Sequence, residues 1–363
     1  MRFAPEPPFA HGSTERCAVL LVNLGTPAAP TATALRRYLA QFLWDPRVVE
    51  IPRPLWWLIL NGVILRLRPA KSATKYAAIW TAAGSPLLTW TARQASALQA
   101  LLQARGHQVL VRHAMRYGDP AVASVLDALK ADGMTRLLVL PMYPHYAAAT
   151  TASSIDAVAT WAQRTRRVPE LRFVNNYHDD AGYIAALAHS VQQHWATHGR
   201  GQKLVMSFHG LPARSLALGD PYHCECHKTA RLLASALGLA RDDFVVTFQS
   251  RLGRAKWLEP YTEPTVKRLA ADGLRHIDAI CPGFAVDNLE TLEEIGMEAR
   301  DAFIGAGGER FNFIACLNDA PDWTDALANL AERHLQGWPT RAATAPAALQ
   351  TQRERALAMG AVD

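Results

Sequence analysis

Short apolar segments alternate with longer amphipathic segments along most of the chain. Eight apolar segments are rich in Val, Leu, Ile and Phe and have the length of buried β-strands. They lie at residues 18–25, 109–118, 136–144, 171–178, 203–210, 243–250, 276–283 and 310–318. Most are separated by 12 or more residues with helical periodicity. Residues 120–131 are one example, with Asp119 placed to cap the helix.

This alternation is typical of parallel sheets that are covered by helices on both faces. Eight strands in 363 residues predict two doubly wound, Rossmann-like α/β domains. We place the N-terminal domain at 17–165 and the C-terminal domain at 170–318, followed by a C-terminal helix and tail at 319–363. Folds of this kind bind ligands where the carboxyl ends of the strands meet loops.

The segment closest in character to a membrane span is LWWLILNGVILRL, residues 55–67, within a region (51–70) that we call the apolar lip. Its two Trp residues and basic flanks suit the interfacial zone of a bilayer, and a partly buried helix or lid fits the same pattern. Either way, the apolar lip can border a pocket for an apolar substrate. No run of about 18 uninterrupted apolar residues exists, so the sequence predicts no membrane-spanning helix.

Charge and cysteine content narrow the class of protein. The formal charge is +6, but no basic block is interleaved with aromatic residues, which argues against nucleic-acid binding. Five cysteines, an odd number, indicate a reducing, cytoplasmic setting rather than a disulfide framework. The N-terminal segment lacks the apolar core of a signal peptide. Phosphate-binding glycine motifs and Gly-x-Ser-x-Gly are also absent, so nucleotide binding and hydrolase chemistry are not indicated.

His209 and a row of glutamates are the first candidates for chemistry. His209 ends a predicted strand, at the sheet edge where α/β folds place functional groups. A neutral imidazole there can bind a divalent metal or accept a proton, although a structural histidine is the alternative. The acidic row (Glu290, Glu294 and Glu298) follows another strand and lies on one face of a predicted helix. It is either a solvated helix face or a path of carboxylates that leads a divalent cation towards the histidine.

Further polar and aromatic residues are predicted at the same edge. Together they can clamp a flat aromatic ligand and bind its carboxylates, although each one alone is as well explained by packing or capping. These candidates are Arg116, Tyr117, Tyr146, Tyr76, Ser85 and Trp257, with the strand end Gln249-Ser250-Arg251 beside them.

The segment His223–His227, with the sequence HCECH, contains the residue types that bind zinc or an iron–sulfur cluster. Its two cysteines are spaced more narrowly than in ordinary structural zinc sites, and no second cysteine pair completes a site. An exposed loop or the start of a helix is therefore the simpler interpretation.

Seven segments, in order, resemble the signature blocks of the ferrochelatase family in its bacterial form. They are LLVNLGTP, YAAIWTAAGSPLL, MRYGDP, VLPMYPHYAAATTASS, SFHGLPARSLALGDPY, FQSRLGRAKWLEPYT and CPGFAVDNLETLEEIG, and they cover the chain from about residue 17 to 320. The resemblance implies two Rossmann-like domains of the class I chelatase type with a porphyrin cleft between them. It also implies an enzyme that inserts Fe²⁺ into protoporphyrin IX to form protoheme, the terminal step of heme biosynthesis.

The resemblance assigns roles to the same side chains. His209 and Glu290 match the two residues that face each other across the porphyrin in that family. Our hypothesis for the mechanism is that His209 is either the proton acceptor or the last iron ligand and that Glu290 takes the other role, with the order of the two steps left open. Glu294 and Glu298 match the acidic line behind them, so that all four side chains would handle the metal. Asn288 stands where the family often has His, which removes one proton carrier beyond Glu290.

The expected substrates are protoporphyrin IX and Fe²⁺, and no cofactor is expected. No cysteine follows Cys316, so the C-terminal iron–sulfur cluster of animal members is not expected either. We expect a cytoplasmic monomer that makes peripheral contact with the inner face of the membrane. The alternatives are a chelatase for another tetrapyrrole (coproporphyrin or a cobalt substrate) and a non-catalytic tetrapyrrole carrier, which would have no use for the acidic row.

Overall fold

All eight segments predicted as strands form strands, and they make two parallel sheets of four. The computed structural model describes residues 3–8, 10–251, 253, 255–341 and 345–362. The first sheet contains β1 (Arg16–Gly25), β2 (Val109–Tyr117), β3 (Met134–Pro141) and β4 (Glu170–Phe173). The second sheet contains β5 (Lys203–His209), β6 (Phe244–Gln249), β7 (His276–Ile280) and β8 (Arg310–Ile314).

Helices connect the strands and cover the sheets. The first part of the chain contains α1 (Ala32–Trp44), α2 (Arg53–Ile59), α3 (Leu65–Ile79), α4 (Pro86–Ala104), α5 (Val122–Ala131), α6 (Ser153–Ala162) and α7 (Ala181–His198). The second part contains α8 (Ala213–Ala217), α9 (Tyr222–Ala236), α10 (Thr262–Ala271), α11 (Arg300–Gly305), α12 (Pro321–Leu335) and α13 (Pro346–Ala358). Within the described residues, three further segments are π-helical: π1 (Leu60–Ile64), π2 (Ala148–Ala152) and π3 (Glu290–Ala299).

The two sheets have the same topology. Their strand orders are β2-β1-β3-β4 and β6-β5-β7-β8. In each sheet, the strand that comes first in the chain lies between the second and the third, and the fourth strand forms the far edge. All neighbouring strands are parallel, which places the carboxyl ends of each sheet at one edge. The sequence placed the junction of the domains between 165 and 170, but β4 pairs with β3 in the first sheet. The pairing moves the junction beyond Phe173.

One apolar core extends through both halves. Helices α7 and α12 pack against each other, and their buried residues Val191 and Leu327 belong to the same cluster as Leu138 of β3 and Met206 of β5. Because this core is shared, the two sheets and the loops at their edges are held in a fixed arrangement.

Two predicted helical details need correction. The helix expected at 120–131 begins at Val122, and Ala121 rather than Asp119 occupies the position before it. The reason is that the carbonyl of Pro120 accepts a hydrogen bond from the Met115 amide of β2 (2.7 Å), which keeps this residue outside the helix. The second correction concerns the helix and tail expected at 319–363. Trp323 of α12 is buried in the core, so this part of the segment packs with the rest of the protein, and only α13, which has no buried residue, resembles a terminal helix.

The apolar lip folds as α2, π1 and the start of α3. Trp56 is buried and its indole N–H donates to the carbonyl of Leu43 (2.7 Å), which fixes the apolar lip on α1. Trp57, Leu58 and Leu67 are 54%, 61% and 71% exposed. The segment therefore has a buried face and an apolar face turned outward. In the part of the chain that the structure describes, no helix has both the length and the apolar character needed to cross a bilayer.

Candidate active site

His209 is the last residue of β5 and is half-buried at the carboxyl edge of the second sheet. Its Nδ1 lies 2.6 Å from the carbonyl oxygen of Gly210. A carbonyl only accepts hydrogen bonds, so Nδ1 carries the proton and Nε2 keeps its lone pair. A Cβ at position 210 would come within 2.6 Å of the Gln249 carbonyl, so this turn requires glycine. The local sequence His-Gly therefore orients the imidazole and leaves one nitrogen able to bind a metal or a proton.

The acidic row lies on π3, which follows β7 at the same edge. In a π-helix, hydrogen bonds run from residue i to i+5, so side chains four and five positions apart are neighbours. Glu290 and Glu294 are partly buried, whereas the Glu298 side chain is 56% exposed. The row therefore leads from solvent to the inner end of the helix. The expected alignment of the three carboxylates on one helix face is compatible with this geometry, and the helix that carries them is π-helical.

Gln249 and Ser250, at the end of β6, connect the histidine to the acidic row. Gln249 pairs with His209 in the sheet register, and its side-chain amide donates to the backbone carbonyl of Glu290 (2.6 Å) and to Oε2 of Glu294 (3.4 Å). The Ser250 hydroxyl donates a short hydrogen bond to the same Oε2. Ser250 has a positive φ of 64°, an uncommon conformation that is frequent at functional sites. From the sequence alone, this strand end is predicted only as part of a general ligand-binding edge, without its link to the acidic row.

Burial is the largest cause of the pKa shifts of His209, Glu290 and Glu294. It lowers the pKa of His209 and raises the pKa of Glu290 and Glu294, because a low-dielectric environment disfavours the charged forms. The Glu294 carboxylate opposes the effect on His209, and the Glu290 carboxylate adds to the effect on Glu294. A neutral imidazole therefore lies close enough to Glu294 to feel its charge, and both Glu294 and its neighbour Glu290 bind protons more strongly than usual.

Two charged residues that were not predicted from the sequence, Lys75 and Glu293, lie beside the acidic row. The Lys75 ammonium of α3 lies 2.9 Å from the Glu293 carboxylate and 2.8 Å from that of Glu298. Burial lowers the pKa of Lys75, but hydrogen bonds to both carboxylates outweigh it and leave the pKa raised. Glu293 and Glu298 are five residues apart, which is the spacing that π3 brings together. No local pattern marks this contact, since Lys75 and Glu293 are separated by 218 residues.

Two of the predicted substrate-binding residues, Tyr76 and Trp257, lie near this centre, and a third, Ser85, is buried at the start of another helix. Tyr76 is buried, and burial together with the charge of Glu290 raises its pKa. The ring of Trp257 packs on Gly210, since a Cβ there would lie 3.2 Å from it. Ser85, the residue that precedes α4 in the chain, is buried. Leu87, two residues later, packs in one cluster with Met115 and Val286.

The other predicted pair, Arg116 and Tyr117, lies at the end of β2 in a separate network. The Asp45 carboxylate accepts hydrogen bonds from the Arg116 guanidinium (2.6 Å), the Tyr117 hydroxyl (2.8 Å) and the Ser153 hydroxyl (2.6 Å). Burial would raise the pKa of Asp45, but these bonds and one from the backbone of Arg47 hold it below its ordinary value. Asp45 and Ser153 were not predicted, because neither stands out in the local sequence. The pair lines an open groove of about 630 Å³ together with Trp44 and Arg53.

The segment His223–His227 forms the first turn of α9, as the simpler interpretation expected. Glu225 is buried and accepts hydrogen bonds from the backbone of Tyr146 and the amide of Asn176, both 2.7 Å. This contact fixes the predicted substrate residue Tyr146, which is half-buried. Burial lowers the pKa of His223 and His227. Among the described residues, no three His, Cys, Asp or Glu side chains converge into a metal-binding group.

The fold is shared with solved structures of the protein SirB. The sirohydrochlorin chelatase SirB from Bacillus subtilis subspecies spizizenii, in complex with cobalt, superposes with a TM-score of 0.52 at 11% identity, covering 90% of this chain and 98% of that one. SirB from Bacillus subtilis with Fe³⁺ gives 0.52 at 14% identity over 88% of this chain and 95% of that one. At these identities the likeness concerns the architecture alone: two doubly wound α/β units of the chelatase type.

Sequence comparison defines the family. The profile of the ferrochelatase family matches residues 16–335. Ferrochelatases from Methylibium petroleiphilum and from a Polaromonas species are each 65% identical to this chain; the first match covers 99% of both chains, the second 99% of this chain and all of the relative. The chain belongs to the ferrochelatase family. It is an enzyme of heme biosynthesis, a lyase that inserts iron into a porphyrin.

Proposed function

We propose that the enzyme inserts Fe²⁺ into protoporphyrin IX at a centre formed by His209 and Glu290. The observation that carries this proposal is the half-buried, neutral imidazole of His209, whose Nε2 is unprotonated and on which the Glu294 carboxylate of the acidic row acts electrostatically. Perturbed titratable groups at the carboxyl edge of an α/β sheet are characteristic of catalytic sites.

Metallation has three requirements: a porphyrin bent so that its nitrogen lone pairs point outward, removal of two pyrrole protons, and delivery of dehydrated Fe²⁺. Contacts with the flat faces of the porphyrin can offset a macrocycle strain of about 1–5 kcal/mol. Trp257 and the apolar lip supply apolar surface for these contacts. We assign polar positioning of the substrate to Tyr76, Ser85 and Tyr146, and to Arg116 and Tyr117 at the edge of the open groove.

We assign proton acceptance to His209 and metal delivery to Glu290. Two pyrrole protons leave as one Fe²⁺ enters, so charge is balanced at the macrocycle; His209 accepts the protons one after the other and releases each to solvent. An imidazolium at His209 is stabilised by the Glu294 carboxylate, whose charge opposes the lowering of the pKa of this histidine by burial. A protonated imidazole cannot bind metal, so a carboxylate must hold the ion while the proton moves. The exposed Glu298 marks the outer end of the path by which the ion enters.

The test is anaerobic turnover of protoporphyrin IX with Fe²⁺ or Zn²⁺, followed by the Soret shift, for the wild type and for His209→Ala and Glu290→Gln. We expect both variants to lose turnover and to keep porphyrin binding. Porphyrin binding that falls in proportion to activity would contradict the assignment. Zn²⁺ affinity without porphyrin separates the two roles, since Glu290→Gln should weaken it far more than His209→Ala does. Coproporphyrin as the preferred substrate would instead support the alternative tetrapyrrole specificity.

We propose further that the enzyme needs no cofactor, so that iron is a substrate. Burial raises the pKa of Cys17, Cys226, Cys281 and Cys316, which disfavours the thiolates that ligate iron–sulfur clusters. Iron and sulfide analysis of the purified protein tests this, and a stoichiometric cluster would contradict it.

We also propose that the enzyme is a cytoplasmic monomer that contacts the membrane through the apolar lip. The exposed side chains of Trp57, Leu58 and Leu67, with Arg66 and Arg68 between and beside them, suit an anionic bilayer surface. Cosedimentation with anionic vesicles should fall for Leu58→Glu. Equal sedimentation of the variant and the wild type would exclude the apolar lip as the contact.

A further inference from the structure

His223 and His227 are neighbours on the first turn of α9, outside the proposed active site. They are four residues apart, and their ring centroids are separated by 4.5 Å with an angle of 56° between the ring planes. His223 is half-buried and His227 is exposed, so solvent and ions reach the pair. Two histidines at this spacing on a helix are a recurrent arrangement for binding divalent metals.

The two rings are held in place by Phe248 of β6. His223 stacks on the Phe248 ring at a centroid distance of 5.7 Å and an angle of 20°, and His227 lies 6.1 Å from it. Phe248 is itself buried, so this support is rigid. Within the described part of the chain, neither imidazole has a hydrogen-bonding partner. The ring nitrogens are therefore available, and the rings lose little conformational freedom when they bind a ligand.

We propose that His223 and His227 form a second binding site for a borderline divalent cation such as Zn²⁺, Ni²⁺ or Cu²⁺. Metal–nitrogen bonds of about 2.0–2.1 Å place the centroids of two imidazoles on one ion roughly 4.5–5.2 Å apart. The observed separation of 4.5 Å fits this range, and the angle of 56° between the ring planes avoids the face-to-face stacking that would keep in-plane lone pairs from meeting at one ion. Water molecules complete the coordination shell, because Glu225 is engaged by Tyr146 and Asn176.

This site is distinct from the proposed centre at His209. Successive side chains of a strand point to opposite faces of the sheet, and Gln249, the residue after Phe248, is the one that contacts Glu290 and Glu294. The histidine pair therefore lies on the opposite face of β6. Imidazole ligands select borderline ions, whereas Mg²⁺ and Ca²⁺ prefer oxygen. Arg241 is close enough to disfavour positive charge at His227, so we expect weaker binding than at a site with carboxylate ligands.

A second histidine pair with the same spacing provides a matched control. His194 and His198 of α7 have centroids 4.4 Å apart, but their rings are stacked at 21°, so their lone pairs run side by side. Nδ1 of His198 lies 3.3 Å from the carbonyl of His194, and Nε2 of His194 is buried without a partner. This pair has the sequence spacing of a metal site without its geometry.

The experiment uses Cu²⁺ as the probe and electron paramagnetic resonance as the readout, in full-length protein carrying His209→Ala. This background removes the imidazole of the proposed centre, so any remaining signal with two equivalent nitrogens comes from elsewhere. We expect one equivalent of Cu²⁺ with a two-nitrogen superhyperfine pattern. Adding H223Q and H227Q should abolish the pattern, and adding H194Q and H198Q should leave it unchanged.

The proposal is overturned if the two-nitrogen pattern is missing from the His209→Ala protein, persists in the H223Q/H227Q variant, or disappears in the H194Q/H198Q variant. Circular dichroism of each variant shows that the fold is intact. Porphyrin turnover of H223Q/H227Q in the wild-type background should equal that of the wild type at saturating Fe²⁺. A loss of turnover comparable to that of His209→Ala would place the pair inside the catalytic machinery and contradict a separate site.

Discussion

The carboxyl edges of the two sheets have the same strand topology, but they differ in whether their charged groups are paired. At the end of β2, Arg116 and Tyr117 are bonded to Asp45, and every charge in that network has a partner. At the equivalent end of β6, Gln249 and Ser250 hold carboxyl groups whose pKa values are raised by burial. The shared topology places polar side chains at both edges. Whether the charged groups among them are paired decides whether they stabilise the protein or remain reactive.

The largest expected effect comes from removing charge at the second edge. Glu290→Gln should lower kcat for metallation by about 10³-fold, as expected for loss of a group that acts on the reacting atoms. Since burial raises the pKa of Glu290, its ionised form costs stability as the pH rises through that pKa. The melting temperature of Glu290→Gln at pH 7 should therefore exceed that of the wild type by about 2 °C, with a smaller difference at pH 4.

The pH dependence sharpens this prediction. The wild-type kcat/KM for the metal should fall on the acidic side at a pH above the ordinary pKa of a glutamate, since the carboxyl group must be ionised to carry the ion. An acidic limb at or below the ordinary glutamate value, or a destabilised Glu290→Gln protein at neutral pH, would contradict the proposed electrostatics.

Asp45→Ala should show the reverse behaviour at the first edge. It leaves the Arg116 guanidinium and the Tyr117 hydroxyl without their acceptor, so we expect a loss of unfolding free energy of about 3 kcal/mol. Denaturant titration measures this loss. Zn²⁺ affinity at the second edge should stay within twofold of the wild type. A variant that is as stable as the wild type would show that the network does not stabilise the fold.

Ser250→Ala and Ser153→Ala each remove a serine hydroxyl that donates a hydrogen bond to a carboxylate, one at each edge. Ser250 donates to Glu294, so its removal should weaken metal binding about 10-fold, as for other residues that orient a ligand. Ser153 donates to Asp45, so its removal should lower stability by about 1 kcal/mol and leave metal affinity unchanged. Isothermal titration with Zn²⁺ and thermal melts measure the two effects; equal effects of both variants on metal binding would remove the distinction between the edges.

Lys75→Met is expected to have the smallest effect. Lys75 neutralises the buried Glu293 and the exposed Glu298, and a pair with an exposed carboxylate such as Glu298 contributes about 0.2–1 kcal/mol. Removing the ammonium should lower the KM for the metal by about two- to fivefold at low ionic strength, with kcat unchanged. Lys267→Met, which breaks the exposed pair with Glu263 on α10, is the control for net charge. An equal change in both variants would assign the effect to overall charge.

Local patterns predicted the strands well because each buried strand is a short apolar segment. They did not predict which sheet β4 joins, since that depends on pairing with β3. They also did not reveal the type of helix that carries the acidic row, because a spacing of four residues fits α- and π-helices alike. The contacts of Lys75 and Asp45 were missed for another reason: they join residues far apart in sequence that have no shared motif.

The π-helical form of π3 also bears on how this segment can change during evolution. A turn with i to i+5 hydrogen bonds accommodates one residue more than an α-helical turn, so π3 has the geometry of a helix that has absorbed an insertion. Losing one residue between Glu290 and Ala299 would return the helix to α-helical winding and rotate Glu298 away from its neighbours. Substitutions in this stretch alter one side chain at a time, whereas a single-residue gap displaces the whole acidic row. We therefore expect its length to be more tightly constrained than its composition.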